Sequence, residues 1–153
     1  VLELYSDQAG PIYVELKYDD LNVLPLARAV STVLNEFPDL HDRLIVKSFR
    51  LAAIPAIRNL MPEITTAALF EPSIANVIRG RKHLITIAAE FGAHHLSLHY
   101  SLASRSVVER AAEMGMGVTI WTVDDSKWIS RCRDRGILAL ITNDPGKLIA
   151  NRR

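Results

Sequence analysis

Cysteine is nearly missing from this 153-residue chain, which has only Cys132. That excludes an intrachain disulfide framework and a cysteine-rich zinc site. Glycine and proline are sparse as well, seven of each, and there is no polar low-complexity tract. The chain is therefore neither disordered nor fibrous. Excess charge is also lacking: 18 Lys and Arg stand against 17 Asp and Glu, a formal +1. A nucleic-acid or membrane-surface binder needs a basic excess to neutralise phosphates. No apolar run approaches the roughly 18 residues of a membrane span, and no charged-then-apolar signal opens the chain. The expectation is one soluble, cytoplasmic domain over residues 1–153. It can bury a core, because 49% of its residues are apolar. Arg152 and Arg153 read as a frayed tail. The chain begins Val1-Leu2-Glu3-Leu4-Tyr5, without Met, which reads as the end of a helix already under way; a piece of something longer is expected.

Strand-length apolar segments alternate with segments of helical period, punctuated by Gly, Pro or Asp. The strands expected are Ile12–Lys17, Leu44–Phe49, Ile64–Phe70, Leu96–Tyr100, Val118–Val123 and Ile137–Thr142. Between them the pattern predicts a helix after Asp19-Asp20 with Leu24, Leu26, Ala27, Val30, Val33 and Leu34 on one face. Further helices are expected over 51–60, over 73–91 with a break near Gly80, from Ser104 to Gly115, from Asp125 or Ser126 to Gly136, and after Pro145. Gly92 stands where a C-terminal cap belongs. Six βα units specify a parallel sheet covered by helices. Either an open doubly wound sheet or part of an eight-fold βα barrel satisfies the pattern, and in both the site lies at the carboxyl ends of strands.

Glu15 and Lys17 lie two apart in a strand and share a face. A carboxylate there can ligate a hard divalent cation and a lysine beside it can hold a phosphate; an ion pair closing the strand is the plainer alternative. His95, Ser97 and His99 also share one face, with His99 nearest the carboxyl end, where a histidine can act as acid/base, ligand or simple polar lining. His94 belongs to a turn, and His41 and His83 stand in polar, exposed surroundings without a function. Trp121 shares its face with Thr119 and Val123, as pocket wall or as core. Asp124 and Asp125 follow it. Thr142-Asn143-Asp144-Pro145 reads as a turn. Ser48 lacks a nucleophile elbow, and Gly115-Met116-Gly117 lies between helix and strand, the reverse of a dinucleotide fingerprint.

Four separated phrases then converge: Tyr13-Val14-Glu15-Leu16-Lys17, Lys47-Ser48-Phe49, Gly117-Val118-Thr119-Ile120-Trp121-Thr122-Val123-Asp124 and Ile141-Thr142-Asn143-Asp144-Pro145. In order and spacing they resemble the later part of a glycerophosphodiester phosphodiesterase, over essentially the whole chain. The resemblance implies an α/β fold, a partial (β/α)8 TIM barrel of the phospholipase-C-like kind with about six βα units. It implies hydrolysis of glycerophosphodiesters to glycerol 3-phosphate and an alcohol, within lipid metabolism, aided by calcium or magnesium. Glu15 matches the family's metal-binding glutamate, Lys17 its companion near the phosphate, and Trp121 the aromatic residue lining the substrate pocket; His99 is expected beside them as pocket lining. The family's opening His-Arg-Gly and Glu-x-Asp phrases do not occur here, nor does a His-Asp phrase following them; the one His-Asp pair is His41-Asp42. The six strands would then be the third to eighth of the barrel, with no catalytic residue assignable and little or no activity expected of the chain alone. The alternative is a non-catalytic partial barrel that associates with a second copy or an N-terminal half, covering its open strand edges.

Overall fold

A computed structural model of the chain describes residues 1–19, 22–73 and 83–151. Six strands form one sheet: β1 (Ile12–Glu15), β2 (Leu44–Ser48), β3 (Thr65–Phe70), β4 (His95–His99), β5 (Gly117–Trp121) and β6 (Ala139–Leu140). Every neighbouring pair is parallel, and spatial order equals chain order from β1 to β6. A doubly wound sheet reverses its strand order at a switch point; this one advances in a single direction, as a barrel wall does. The helices of the described residues are α1 (Leu24–Asn35), α2 (Ala53–Leu60), α3 (His83–Glu90), α4 (Arg105–Glu113), α5 (Lys127–Arg135) and α6 (Pro145–Ala150).

The two faces of the sheet have different chemistry. Leu44 and Val46 join Ala27, Leu34, Ala53 and Ile57 in one core under α1 and α2. Ala68, Phe70, Leu96, Leu98, Val118 and Ile120 join residues of α3, α4 and α5 in a second. These strand residues alternate with Tyr13, Glu15, Ile45, Lys47, Ala67, Leu69, His95, Ser97, His99, Thr119 and Trp121, which belong to neither core. The pleat sends the second set to the concave side. That side is where a barrel keeps its interior.

Several boundaries differ from the sequence reading. β1 ends at Glu15, so Lys17 lies beyond it, although Leu16 N still donates to Lys47 O. α1 starts at Leu24, not after Asp19-Asp20; Asn22 Oδ1 accepts from Leu24 N, and Asp20 lies outside the described residues. Leu24 and Val33 are exposed on α1, which buries Ala27, Ser31 and Leu34 instead. The helix expected over 73–91 is described as α3, and its expected break near Gly80 falls outside the described residues, as do Arg152 and Arg153. Ser104 occupies the N-cap of α4 without capping it, its hydroxyl lying 3.2 Å from that of Ser106. Val123 packs in the helix-side core, not beside Trp121, because β5 ends at Trp121. β6 has two residues against an expected six, since it pairs only with β5. Glycines at the ends of α5 and near α3 behave as expected: Gly136 closes α5 at φ 71°, and Gly92 has φ 76° with its carbonyl accepting from Arg58.

Candidate functional site

The carboxyl ends of β1 and β2 bring three charges together. Glu15 pairs in register with Lys47 on β2. Its Oε2 lies 3.6 Å from Lys47 Nζ and its Oε1 3.6 Å from Lys17 Nζ. The two lysines differ: the Lys17 side chain is 79% exposed, that of Lys47 only 8%. Burial lowers the pKa of the Lys47 ammonium, with Glu15 working against that shift. On the amino-terminal side Lys47 meets the ring of Tyr13, 5.6 Å from Nζ to centroid. The Tyr13 hydroxyl is itself 3.1 Å from Thr119 Oγ1 on β5, so the floor beneath the charges is pinned across the concave face. Arg50, just past β2, lies over the Tyr18 ring at 5.4 Å.

Aromatic rings form the opposite wall. Trp121 at the end of β5 meets Phe49 edge-on at 5.4 Å and His99 at 5.5 Å, and its Nε1 donates to Ser97 O. The His99 ring packs on Tyr100 at 4.4 Å, and its Nδ1 lies 2.8 Å from Ser101 Oγ. Trp121 therefore lines the mouth and stays out of the helix-side cores. Beside it, Tyr100, Thr122, Asp124, Asp125, Trp128 and Lys147 line a cleft of about 480 Å³. Asp124 holds the last loop: Thr142 Oγ1 and Asn143 N donate to its Oδ1 at 2.7 and 2.9 Å, and these bonds lower its pKa. The expected turn at 142–145 is thus tied down by the Asp124 carboxylate.

The other histidines do not join this mouth. His95 lies at the amino-terminal end of β4 beside Gly117, with its Nδ1 buried and unpartnered among the described residues, as is Ser97 Oγ. His94 Nδ1 accepts from Thr66 N at 3.0 Å. His41, expected in exposed surroundings, is mostly buried, with Nε2 3.1 Å from Leu34 O and Nδ1 3.3 Å from Glu63. His83 is exposed. Lys47 and Phe49 have no role in the sequence reading. Lys47 is one charge in the apolar run Leu44-Ile45-Val46, and that anomaly was the available signal.

The described residues contain no group of three or more His, Cys, Asp or Glu side chains able to hold a metal. Both oxygens of Glu15 face ammonium groups. Taken alone, this donor set does not fit a divalent cation, which needs several oxygen ligands.

Comparison with known proteins agrees with this geometry. Residues 5–147 match the glycerophosphoryl diester phosphodiesterase family. YhdW of Bacillus subtilis (strain 168), provisionally designated a glycerophosphodiester phosphodiesterase, is 24% identical over 149 residues, 97% of this chain and 58% of that protein. Among solved structures, a provisionally named glycerophosphoryl diester phosphodiesterase of Agrobacterium tumefaciens superposes with TM-score 0.83 at 22% identity, over 98% of this chain and 60% of that one. An Oleispira antarctica phosphodiesterase, solved with the product sn-glycerol-3-phosphate, gives 0.68 at 18%, over 98% and 57%. These structures share the fold, a partial TIM barrel here. The chain spans 57% to 60% of the length of these three relatives. No helix of the described residues is long and apolar enough to cross a membrane.

Proposed function

The chain belongs to the glycerophosphoryl diester phosphodiesterase family, and from that premise we propose that its mouth is the substrate-binding part of a barrel that hydrolyses glycerophosphodiesters to glycerol 3-phosphate and an alcohol. The carrying observation is the carboxylate of Glu15 held between two ammonium groups at the carboxyl edge of the sheet. Barrel enzymes build their sites at this edge. Lys17, its side chain exposed, offers a positive charge to a phosphodiester anion arriving from solvent. Trp121, Phe49 and His99 supply an apolar wall for the glycerol or alcohol part. Calcium or magnesium, the cations that the resemblance implies, would find one carboxylate here, that of Glu15, already engaged by two ammonium groups. No acid/base pair is assigned among these residues, and the chain by itself is expected to turn over little. Residues 1–153 acting as one domain, and a cytoplasmic setting, belong to the same reading.

The test is release of glycerol 3-phosphate from glycerophosphocholine by the natural polypeptide carrying these residues, with calcium, magnesium or neither added. Turnover that Glu15→Gln abolishes supports the reading. Undiminished turnover in Glu15→Gln removes Glu15 from the site, and no turnover of any glycerophosphodiester removes the hydrolytic activity.

A second reading is favoured by the two edges of the sheet. Beside β1, Leu2, Val14, Ala29, Val30 and Val33 line an apolar groove of about 390 Å³; beside β6, Ile129, Leu140, Leu148 and Ile149 line another of about 240 Å³. In this reading the chain is a non-catalytic association module, completed by a second copy or an N-terminal half. A molecular mass above one chain that holds on dilution, without hydrolysis, would favour it; a monomer at all concentrations would exclude the second copy.

A further inference from the structure

We propose that Lys47 is a phosphate-contacting residue, whose buried ammonium holds a phosphoryl oxygen beside Glu15 while Lys17 closes over the anion from solvent. This rests on the phosphodiester reading of the same mouth and adds a residue to Glu15 and Lys17. Among the described residues, Lys47 is the one charged side chain that is buried. A buried ammonium is costly unless paired, and a methionine of similar volume would fill the space without that cost. The available pairing is incomplete. One carboxylate, itself 27% exposed, serves both Lys47 and Lys17, so one positive charge in the cluster is uncompensated. The remaining neighbour identified for Lys47 is the face of Tyr13, which closes the amino-terminal side and leaves the mouth as the direction of approach. An ammonium has three donors. One carboxylate oxygen at 3.6 Å does not use them up.

The geometry thus has the parts of an anion seat: one buried cation with an aromatic floor, one exposed cation beside it, and a carboxylate in contact with both. A structural ion pair joining β1 to β2 is the competing explanation. It predicts that loss of the charge affects stability and not binding.

The experiment titrates sn-glycerol 3-phosphate, inorganic phosphate and, as a control, glycerol into the full chain by calorimetry, with EDTA present so that metal ions contribute nothing. The wild type should bind both phosphate compounds and not glycerol. Lys47→Met should weaken phosphate binding about tenfold or more, the loss expected for one hydrogen bond to a charged group. Lys47→Arg should recover part of it, and Glu15→Gln, which removes the competing carboxylate, should not weaken it. Should Lys47→Met fail to fold, the 13Cε resonance of Lys47 in the wild type, followed during the phosphate titration, gives the same answer: it moves if Lys47 contacts the anion. Wild-type affinity in a folded Lys47→Met, a stationary resonance, or no phosphate binding by the wild type would each overturn the assignment. The hydrolytic reading is judged separately by glycerophosphocholine turnover. Binding that depends on Lys47 without turnover would leave an anion seat and remove the activity.

Discussion

The hydroxyls of Tyr13 on β1 and Thr119 on β5, 106 residues apart in sequence, lie 3.1 Å from each other across the concave face. In a flat sheet, strands four places apart are separated by about 19 Å, far beyond the reach of a tyrosine. The contact therefore requires the sheet to be curled, and six strands keep the curvature of a barrel wall without a complete ring. The same bond fixes the tyrosine ring under Lys47.

Tyr13→Phe leaves the Thr119 hydroxyl buried without its partner, and the expected loss of stability is about 1–3 kcal/mol. Thr119→Val should cost less, because Tyr13 is only partly buried. The double variant should cost less than the two together, because no polar atom is then stranded. Urea unfolding of the four proteins measures this. Strict additivity would mean that the hydroxyls do not interact.

Stability should also fall in mild acid through His94. Its Nδ1 accepts from the Thr66 amide, so the bonded ring is neutral. Burial, with Arg58 adding to it, holds its pKa below the ordinary 6.5, and His95 is shifted the same way by burial and by His94. The unfolded chain takes up these protons near 6.5 and the folded chain only at lower pH. Below about 6.5 the unfolded state binds more protons, so stability present at higher pH is lost as pH falls. His94→Asn keeps an acceptor and removes the titration. Its urea midpoint should drop less than the wild type's between about pH 7.5 and about pH 5.5. Equal slopes would remove His94 from the account.

Why some of this was legible and some was not follows from where the information lies. The alternation of Leu44, Val46 and Phe70 with inward residues, and the glycine closing α5, are local signals, and they located strands and helices to within a few residues. The choice between an open sheet and a barrel is not local. It depends on strand order and on contacts such as Tyr13 with Thr119. The pairing of Glu15 with Lys17 could be read from a spacing of two, but Lys47 reaches Glu15 only through the β1–β2 register, 32 residues further on, which no periodicity contains. The N-terminus of α1 differs because two aspartates resemble a cap, whereas Val23 holds the N-cap position without a side-chain cap and Asn22 Oδ1 accepts from Leu24 N just ahead of it.

Gly117 is held to its size by the concave face. A Cβ there would lie 2.5 Å from Leu138 Cδ1 and 2.8 Å from His95 Cδ2. Gly117→Ala should destabilise by about 1–3 kcal/mol, as overpacking does. Leu138 is 62% exposed and can swing aside, whereas the His95 ring is half-buried against the sheet. Adding His95→Ala to Gly117→Ala should therefore recover more than adding Leu138→Ala. Thermal unfolding of the three variants decides it, and the reverse order would place the strain at Leu138.

The aromatic wall makes the last prediction, on turnover by the natural polypeptide. Trp121 touches Phe49 and His99 and donates to Ser97 O, so its ring is fixed before substrate arrives. A preset surface contributes to binding in ground and transition states alike, which appears in KM and leaves kcat nearly unchanged. Trp121→Ala should raise KM for glycerophosphocholine up to about tenfold, the scale of one aromatic contact and its area. Trp121→Phe should raise it less, since the edge-on packing survives and only the bond to Ser97 is lost. His99→Ala should have a smaller effect still, because its Nδ1 is engaged with Ser101 and its ring leans on Tyr100. A fall in kcat of about a thousandfold in His99→Ala would instead carry the signature of an acid/base group. His99 would then move from the wall to the chemistry, and the chain would hold a proton-transfer residue of its own.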